Sequence, residues 1–312
     1  MGNLDCKCTD EKERDAGIVV EKLGNRKIEK LEATMPDELY QSKSYYDNIA
    51  GLPISQSVLS IWNSQPPLLP PPSTTWKEVK ESDGRIYRGE AKNNIPNGFG
   101  MRVLEDGSLL EGTWLNGALH GKGRAIYSNG DFYYGDYVNG IVEGYGTLIN
   151  SEGAVYSGQW KNNKQNGEGK ETWPDGAEYI GDFKDEAKNG NGVFKWADGS
   201  SYTGEYLNNN IHGKGTYKWA DGRVYTGEWV DNKMHGFGRF EWPDGRVYEG
   251  DYNFDKKEGQ GTFVWPDGKM YSGSWLNGKQ HGIGWASSND SPPRKGEWQL
   301  GKRIRWLDSK LT

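Results

Sequence analysis

The sequence predicts an all-β protein: an elongated single-layer antiparallel sheet of stacked 23-residue β-hairpins, with a mostly irregular N-terminal leader. Three observations predict it. A unit built on an aromatic, a glycine and a second aromatic recurs at a fixed 23-residue step from Tyr87 to Arg294 without insertion. Glycine and rings dominate the composition, with 45 Gly, 14 Trp, 18 Tyr and 8 Phe. Leu, Ile, Val and Phe together make up only about 17% of the 312 residues, too thin for a thick aliphatic core. A net charge of −6 and so many rings argue against a disordered chain. Glycine and aromatic rings must therefore build something ordered, repeated and thin.

In chain order, the first element is an acylation signal at residues 1–8. Met1-Gly2-Asn3-Leu4-Asp5-Cys6-Lys7-Cys8 resembles an N-myristoylation signal, with Cys6 where the motif has Ser or Thr. One acyl chain holds a protein at a membrane only marginally, so Cys6 and Cys8 are the expected palmitoyl acceptors beside Gly2. They are the only two cysteines, which excludes a disulfide framework and fits a reducing compartment. No run approaches a membrane span and no signal-peptide core follows Met1. The expected location is the cytoplasmic face of a membrane, the cell cortex or a cilium or flagellum, and not outside the cell.

Residues 9–82 form the leader. Its charged part, residues 10–33, is expected to include a short helix. Residues 66–72 read as a polyproline II spacer or a docking peptide for an aromatic groove. Equally, that run can lie back on the protein's own aromatic face through Ile61 and Trp62.

The repeat region covers residues 83–306, nine full units and a degenerate tenth, before a tail at 307–312. Alternation along a strand puts Tyr225, Gly227 and Trp229 on one face and Thr226 and Glu228 on the other. The expected hairpin register sets Tyr225 opposite Trp242, Gly227 opposite Phe240, Trp229 opposite Gly238 and Glu228 opposite Arg239. Rings would then pack over glycine, each cross-strand pair contributing about 0.2–1 kcal/mol. Ala91 and Leu104 in the first unit and Arg294 in the last depart from the pattern, as capping repeats do.

The unit Y-x-G-x-W, turn, G-x-G, D-G resembles the MORN repeat, named for membrane occupation and recognition nexus. The resemblance implies one hairpin per repeat and roles at membrane–cytoskeleton junctions. It leaves open a structural part in a ciliary or flagellar axoneme, as in radial spoke heads, or a regulatory subunit of a lipid-signalling enzyme.

An enzyme is not expected. His120, His212, His235 and His281 share one phase with Asn97, Glu143, Asn166, Asn189 and Glu258, the pattern of a turn residue, and they stand whole repeats apart, which argues against a metal site. The G-x-G pairs continue into neither a helix nor G-K-S/T, so no cofactor is expected. Glycine there is expected to supply turn conformations and room beneath rings. An acidic column, Glu90, Asp136, Asp182, Glu205, Glu228, Asp251 and Glu297, is read as a solvated face with Lys and Arg neighbours rather than a strip for a basic partner. The acidic balance opposes nucleic acid.

The candidate protein-binding face is aromatic: Tyr156, Trp160, Trp173, Tyr179, Trp196, Tyr202, Trp219, Tyr225, Trp229, Trp242, Tyr248, Trp265, Tyr271 and Trp275. It would take a helix or peptide of a cytoskeletal or signalling protein. Arg294, Lys295, Lys302, Arg303 and Arg305 form a candidate patch for anionic lipid, interleaved with Trp298 and Trp306.

Overall fold

A computed structural model of the protein describes residues 51–65, 68, 74–289 and 291–307. The expected acylation signal, the charged stretch 10–33, most of the proline run and the last five residues lie outside them. Among the described residues, twenty-one strands form one open antiparallel sheet, each paired with its neighbours in sequence, preceded by a single helix, α1 (Gln56–Ser64). The fold class is as expected. The residues divide into two compact units, 51–176 with 182–187 and 177–181 with 188–307.

Each of the first eight repeats is a seven-residue strand, such as Val224–Val230, and a nine-residue strand, such as Lys233–Glu241. Asp231 and Asn232 join them, with φ of 47° and 65°. Two successive positive φ values make the tight turn whose twist matches that of the flanking strands, and Asn and Asp tolerate it best among residues bearing a side chain. The next repeat begins after a second turn, closed by Gly245 N donating to Trp242 O at 2.9 Å.

The register differs from the expected one. Tyr225 lies opposite Phe240, Thr226 opposite Arg239 and Gly227 opposite Gly238, then Glu228 opposite His235 and Trp229 opposite Met234. The two-residue loop shortens the inner half of the hairpin, and Gly236 and Phe237 bulge out of the longer strand. The displacement is an even number of residues, so every side chain keeps its expected face. Two glycines face each other where a ring was expected above one, and the Tyr225 ring lies over both.

In the N-terminal unit the face opposite the rings is also apolar. Phe99, Met101, Val103, Leu109, Ile126 and Phe132 are buried there under α1, which contributes Val58 and Trp62 one turn apart. Ser55 caps the helix by accepting from Val58 N at 3.2 Å. This corrects the expected place of Ile61 and Trp62: the helix covers the face away from the aromatic rings. In later repeats the columns of Met101, Val103 and Leu109 are mixed, Thr216, Lys218 and Ser201 interrupting Val193, Val224 and Val247. Under the helix the cross-strand neighbours Glu111 and Arg124 form an ion pair with 0% and 1% of their side-chain surfaces exposed.

In the C-terminal unit the opposite face is mixed: hydroxyl pairs such as Thr216–Thr226 at 2.9 Å and Thr262–Ser272 at 2.8 Å stand beside the cross-strand neighbours Val247, Val264 and Met270. Its core is the ring face itself.

Candidate functional site

Two rows of rings run along this face. In the deep row each first-strand tyrosine meets the aromatic of the following repeat edge-on. Centroids are 5.4 Å apart for Tyr87–Trp114 and 5.2 Å for Tyr133–Trp160 in the N-terminal unit. In the C-terminal unit they are 5.6 Å apart for Tyr202–Trp229, 5.1 Å for Tyr248–Trp275 and 5.0 Å for Tyr271–Trp298. The same tyrosine meets the aromatic of its own repeat, as in Tyr225–Trp229 at 5.0 Å, so in the C-terminal unit the contacts form a continuous zigzag from Tyr202 to Trp298. Edge-to-face pairs of this kind are worth about 0.5–1.5 kcal/mol beyond their buried area.

In the deep row first-strand phenols and indoles donate to backbone carbonyls, whereas Tyr137 Oη is buried with no hydrogen-bond partner among the described residues. Tyr225 Oη donates to Glu228 O at 3.0 Å and Tyr248 Oη to Asp251 O at 3.0 Å. Trp114 Nε1 donates to Gly100 O at 2.9 Å and Trp275 Nε1 to Gly261 O at 2.9 Å, across to the preceding repeat. Burial pushes these phenols up: Tyr271 reaches about 12, and Tyr87, Tyr133, Tyr156, Tyr202, Tyr225 and Tyr248 rise further.

A shallow row follows the second turn. In the C-terminal unit the centroids step from Trp196 to Tyr217 (5.2 Å), Trp219 (4.4 Å), Phe240 (5.2 Å), Trp242 (4.3 Å), Phe263 (5.6 Å) and Trp265 (4.5 Å). Aspartates of the turns hold cations over the tryptophans. Asp221 bonds Arg223 at 2.8 Å, whose guanidinium lies 5.2 Å from the Trp219 ring; Asp244 bonds Arg246 at 2.7 Å, 5.3 Å from Trp242.

The fourteen aromatic candidates thus separate by depth. Tyr156, Trp160, Tyr179, Tyr202, Tyr225, Trp229, Tyr248, Tyr271 and Trp275 are buried and form the core of the sheet. Trp173, Trp196, Trp219, Trp242 and Trp265 are half-buried and keep part of their surface exposed.

The acidic column has a structural task that sequence reasoning missed. Glu205 Oε1 accepts from Lys214 N at 2.9 Å, Glu90 Oε2 from Phe99 N at 2.9 Å and Asp251 Oδ2 from Gln260 N at 2.7 Å. Each caps the amide that the bulge leaves outside the strand ladder, nine residues on. Gln159 in the same column does so without a charge, accepting from Glu168 N at 3.2 Å. The second turn residue was missed as well. Asn232 Oδ1 accepts from Ile211 N at 2.7 Å while Asn232 N donates to Ile211 O at 3.0 Å, a two-bond staple to the preceding repeat that Asn163 and Asn209 repeat. The sequence signal was the recurrence of Asn or Asp at that phase.

The histidine phase faces the first turn of the next repeat. Glu143 accepts there from Asn162 N at 3.0 Å and Glu258 from Asn277 N at 3.3 Å, His281 Nδ1 lies 3.5 Å from Leu300 N, and the His235 ring packs on Phe254 at 4.7 Å. Among the described residues no group of three His, Cys, Asp or Glu side chains gathers as metal ligands.

The basic candidates are divided between two faces. Arg294 and Arg303 each stand 4.3 Å from the Trp306 ring on the aromatic side. On the other side Lys295 stands 5.9 Å from the Trp285 ring, and Arg305 is paired with Glu297 at 2.7 Å. Lys302 is exposed near the end of the last strand pair.

A tandem array of glycine-seated β-hairpins whose core is a ladder of rings defines a β-repeat protein of the solenoid class. The chain belongs to the MORN-repeat family: nine units match, at residues 87–109, 111–132, 133–155, 156–178, 179–201, 202–222, 225–245, 248–270 and 271–291. No curated protein matches the chain. Among solved structures, it is similar to the G-box domain of the microcephaly protein CPAP, with 13% identity, 65% of this chain and 100% of that one covered, and a TM-score of 0.29. The wild-type TCP10 domain of Danio rerio CPAP gives 11%, 75% and 100%, and 0.28. The TCP domain of Drosophila melanogaster SAS-4, solved with a proline-rich motif of Ana2, gives 14%, 68% and 99%, and 0.22.

Proposed function

We propose that this protein is a non-catalytic scaffold, anchored at the cytoplasmic face of a membrane through acylated Gly2, Cys6 and Cys8, that holds a cytoskeletal or signalling protein on its MORN sheet. The observation carrying the reading is the shallow tryptophan row. Trp196, Trp219, Trp242 and Trp265 leave ring surface open at a constant repeat spacing, with Arg223 and Arg246 fixed above two of them. Tryptophan and arginine are the residues that anchor protein interfaces most often. A helix or extended peptide laid along the repeats would meet the same ring and cation at every step. The acyl chains supply membrane affinity, and the basic side chains near Trp306 add attraction to anionic lipid.

Proximity labelling in the native cell tests the partner role. Trp219→Ala with Trp242→Ala should lose specific neighbours while circular dichroism stays that of the parent; an unchanged set of neighbours rejects the row as the binding face. Gly2→Ala separates the anchor from the scaffold: release into the soluble fraction supports acylation, and retention in a detergent-extracted cytoskeleton assigns localisation to the sheet.

A further inference from the structure

The pair under α1 is costly in a way its counterpart in the C-terminal unit avoids. The two columns that supply Glu111 and Arg124 also supply Glu249 and Arg239, which pair at 2.9 Å with both side chains nearly half exposed. In that second pair the charges stay in water. Under α1 they are removed from it, and Glu111 Oε1 has no hydrogen-bond partner. A buried ion pair seldom recovers its desolvation unless every lone pair is satisfied, and this carboxylate has one oxygen unsatisfied.

Arg124 bonds the carboxylate from the neighbouring strand and also lies 5.3 Å from the Trp62 ring of α1. On the other side Met101 stands opposite Glu111; beyond it Arg88 is held by Glu78 at 2.8 Å. Tyr134 lies opposite Arg124. The helix, QSVLSIWNS, brings no charge. Among the described residues Arg124 is therefore the one ionic partner of Glu111, and the helix adds no charge.

We infer that α1 is a proton-dependent strap: it closes over the first repeats when Glu111 is protonated and lifts as that carboxylate ionises, baring Met101, Val103, Leu109, Ile126 and Phe132. The sign follows from linkage. Covering the carboxyl raises it from the ordinary 4.5 to about 7, burial outweighing the attraction of Arg124. The closed state holds the extra proton between these values, so closure is strongest in acid and weakens as pH rises through 7. Taking 4.5 for the open state, the closure equilibrium falls roughly 30-fold between pH 5.5 and 8.

Hydrogen exchange on the full chain, with rates corrected for intrinsic pH dependence, reads this directly. The peptide spanning Gln56–Ser64 should lose roughly 30-fold protection from pH 5.5 to 8, while Lys233–Asn253 keeps its own. In Glu111→Gln the carboxamide keeps the shape without the titration, and protection of α1 should stay within about threefold across the range. Equal protection of α1 in the parent at both pH values overturns the strap, whatever the variant does. The same decline in Glu111→Gln as in the parent overturns the assignment to Glu111. Trp62→Ala should strip the helix at both pH values and leave the C-terminal repeats protected; a helix that remains protected without that ring also rejects the mechanism.

Discussion

Gly238→Ala tests whether the glycine pairs of the unit are seats for tyrosine. A Cβ built on Gly238 meets Tyr225 Oη, Cε2 and Cζ at 2.5 Å or closer, and one on the facing Gly227 meets Tyr225 Oη at 2.5 Å and Gly238 Cα at 2.6 Å. Carbon atoms do not approach so closely, so the ring must move. The ring has nowhere to go: it is 0% exposed and held edge-on by Trp229 at 5.0 Å and Tyr252 at 5.3 Å. Displacing it loosens two ring contacts of about 0.5–1.5 kcal/mol each. It also weakens the Oη bond to Glu228 O, worth about 1 kcal/mol. The expected destabilisation is about 2–4 kcal/mol, at the upper end of overpacking costs. The backbone of Gly238 is not left-handed, so alanine itself suits the strand. Urea unfolding of the C-terminal repeats, followed by circular dichroism, should therefore show strong coupling. Tyr225→Ala alone should cost about 3–5 kcal/mol, and adding Gly238→Ala to it should cost almost nothing further. Gly199→Ala is the contrast: no atom lies within 4 Å of the added carbon, but φ is +85°, and the backbone penalty of about 1–2 kcal/mol should not depend on any tyrosine. If Gly238→Ala costs under about 0.5 kcal/mol, or adds in full to Tyr225→Ala, the seat is not what the glycine is for.

Asn232→Ala removes the side-chain half of a staple and places alanine at φ +65°, so a loss of about 1.5–3 kcal/mol is expected by thermal or urea unfolding, whereas Asn232→Gly should lose about 1 kcal/mol. Glu205→Gln should be nearly neutral, because Gln159 caps its bulge as a carboxamide, and Glu205→Ala should cost about 1 kcal/mol with little dependence on salt; strong salt dependence would restore the charged-strip reading. Alkali should unfold the sheet cooperatively. The buried tyrosines titrate above their ordinary 10.0, so the native state keeps protons that the unfolded chain releases. Stability is whole below pH 10 and falls above it by about 1.4 kcal/mol per pH unit for each such tyrosine. Tyrosinate absorbance should rise together with loss of circular dichroism, and ionisation near pH 10 in a sheet that stays folded would contradict the burial argument.

The ring face was legible because strand alternation is local. Tyr225, Gly227 and Trp229 fall on one side whatever their partners, and an even displacement of register could not move them. Their division into buried and half-buried rows was not legible. Trp219 and Trp229 read alike along the chain, but Trp229 is enclosed by Tyr202 and Tyr225, whereas Trp219 sits beside a turn. The acidic column was visible as a column and misread in purpose, because the amide that Glu205 caps exists only once a bulge has pushed Lys214 out of the ladder.

By itself the sequence determined the 23-residue period and the face of each side chain, which follow from spacing along one chain, and its likeness to the MORN repeat implied the hairpin unit. Tertiary structure decided the register, the depth of each ring and the place of α1. The first was set by a two-residue turn and the bulge that compensates for it, the second by which rings of neighbouring repeats close around each side chain. The helix went to the opposite face because Met101, Val103, Leu109, Ile126 and Phe132, scattered over 32 residues of sequence, become a single apolar strip only when the strands that carry them lie side by side.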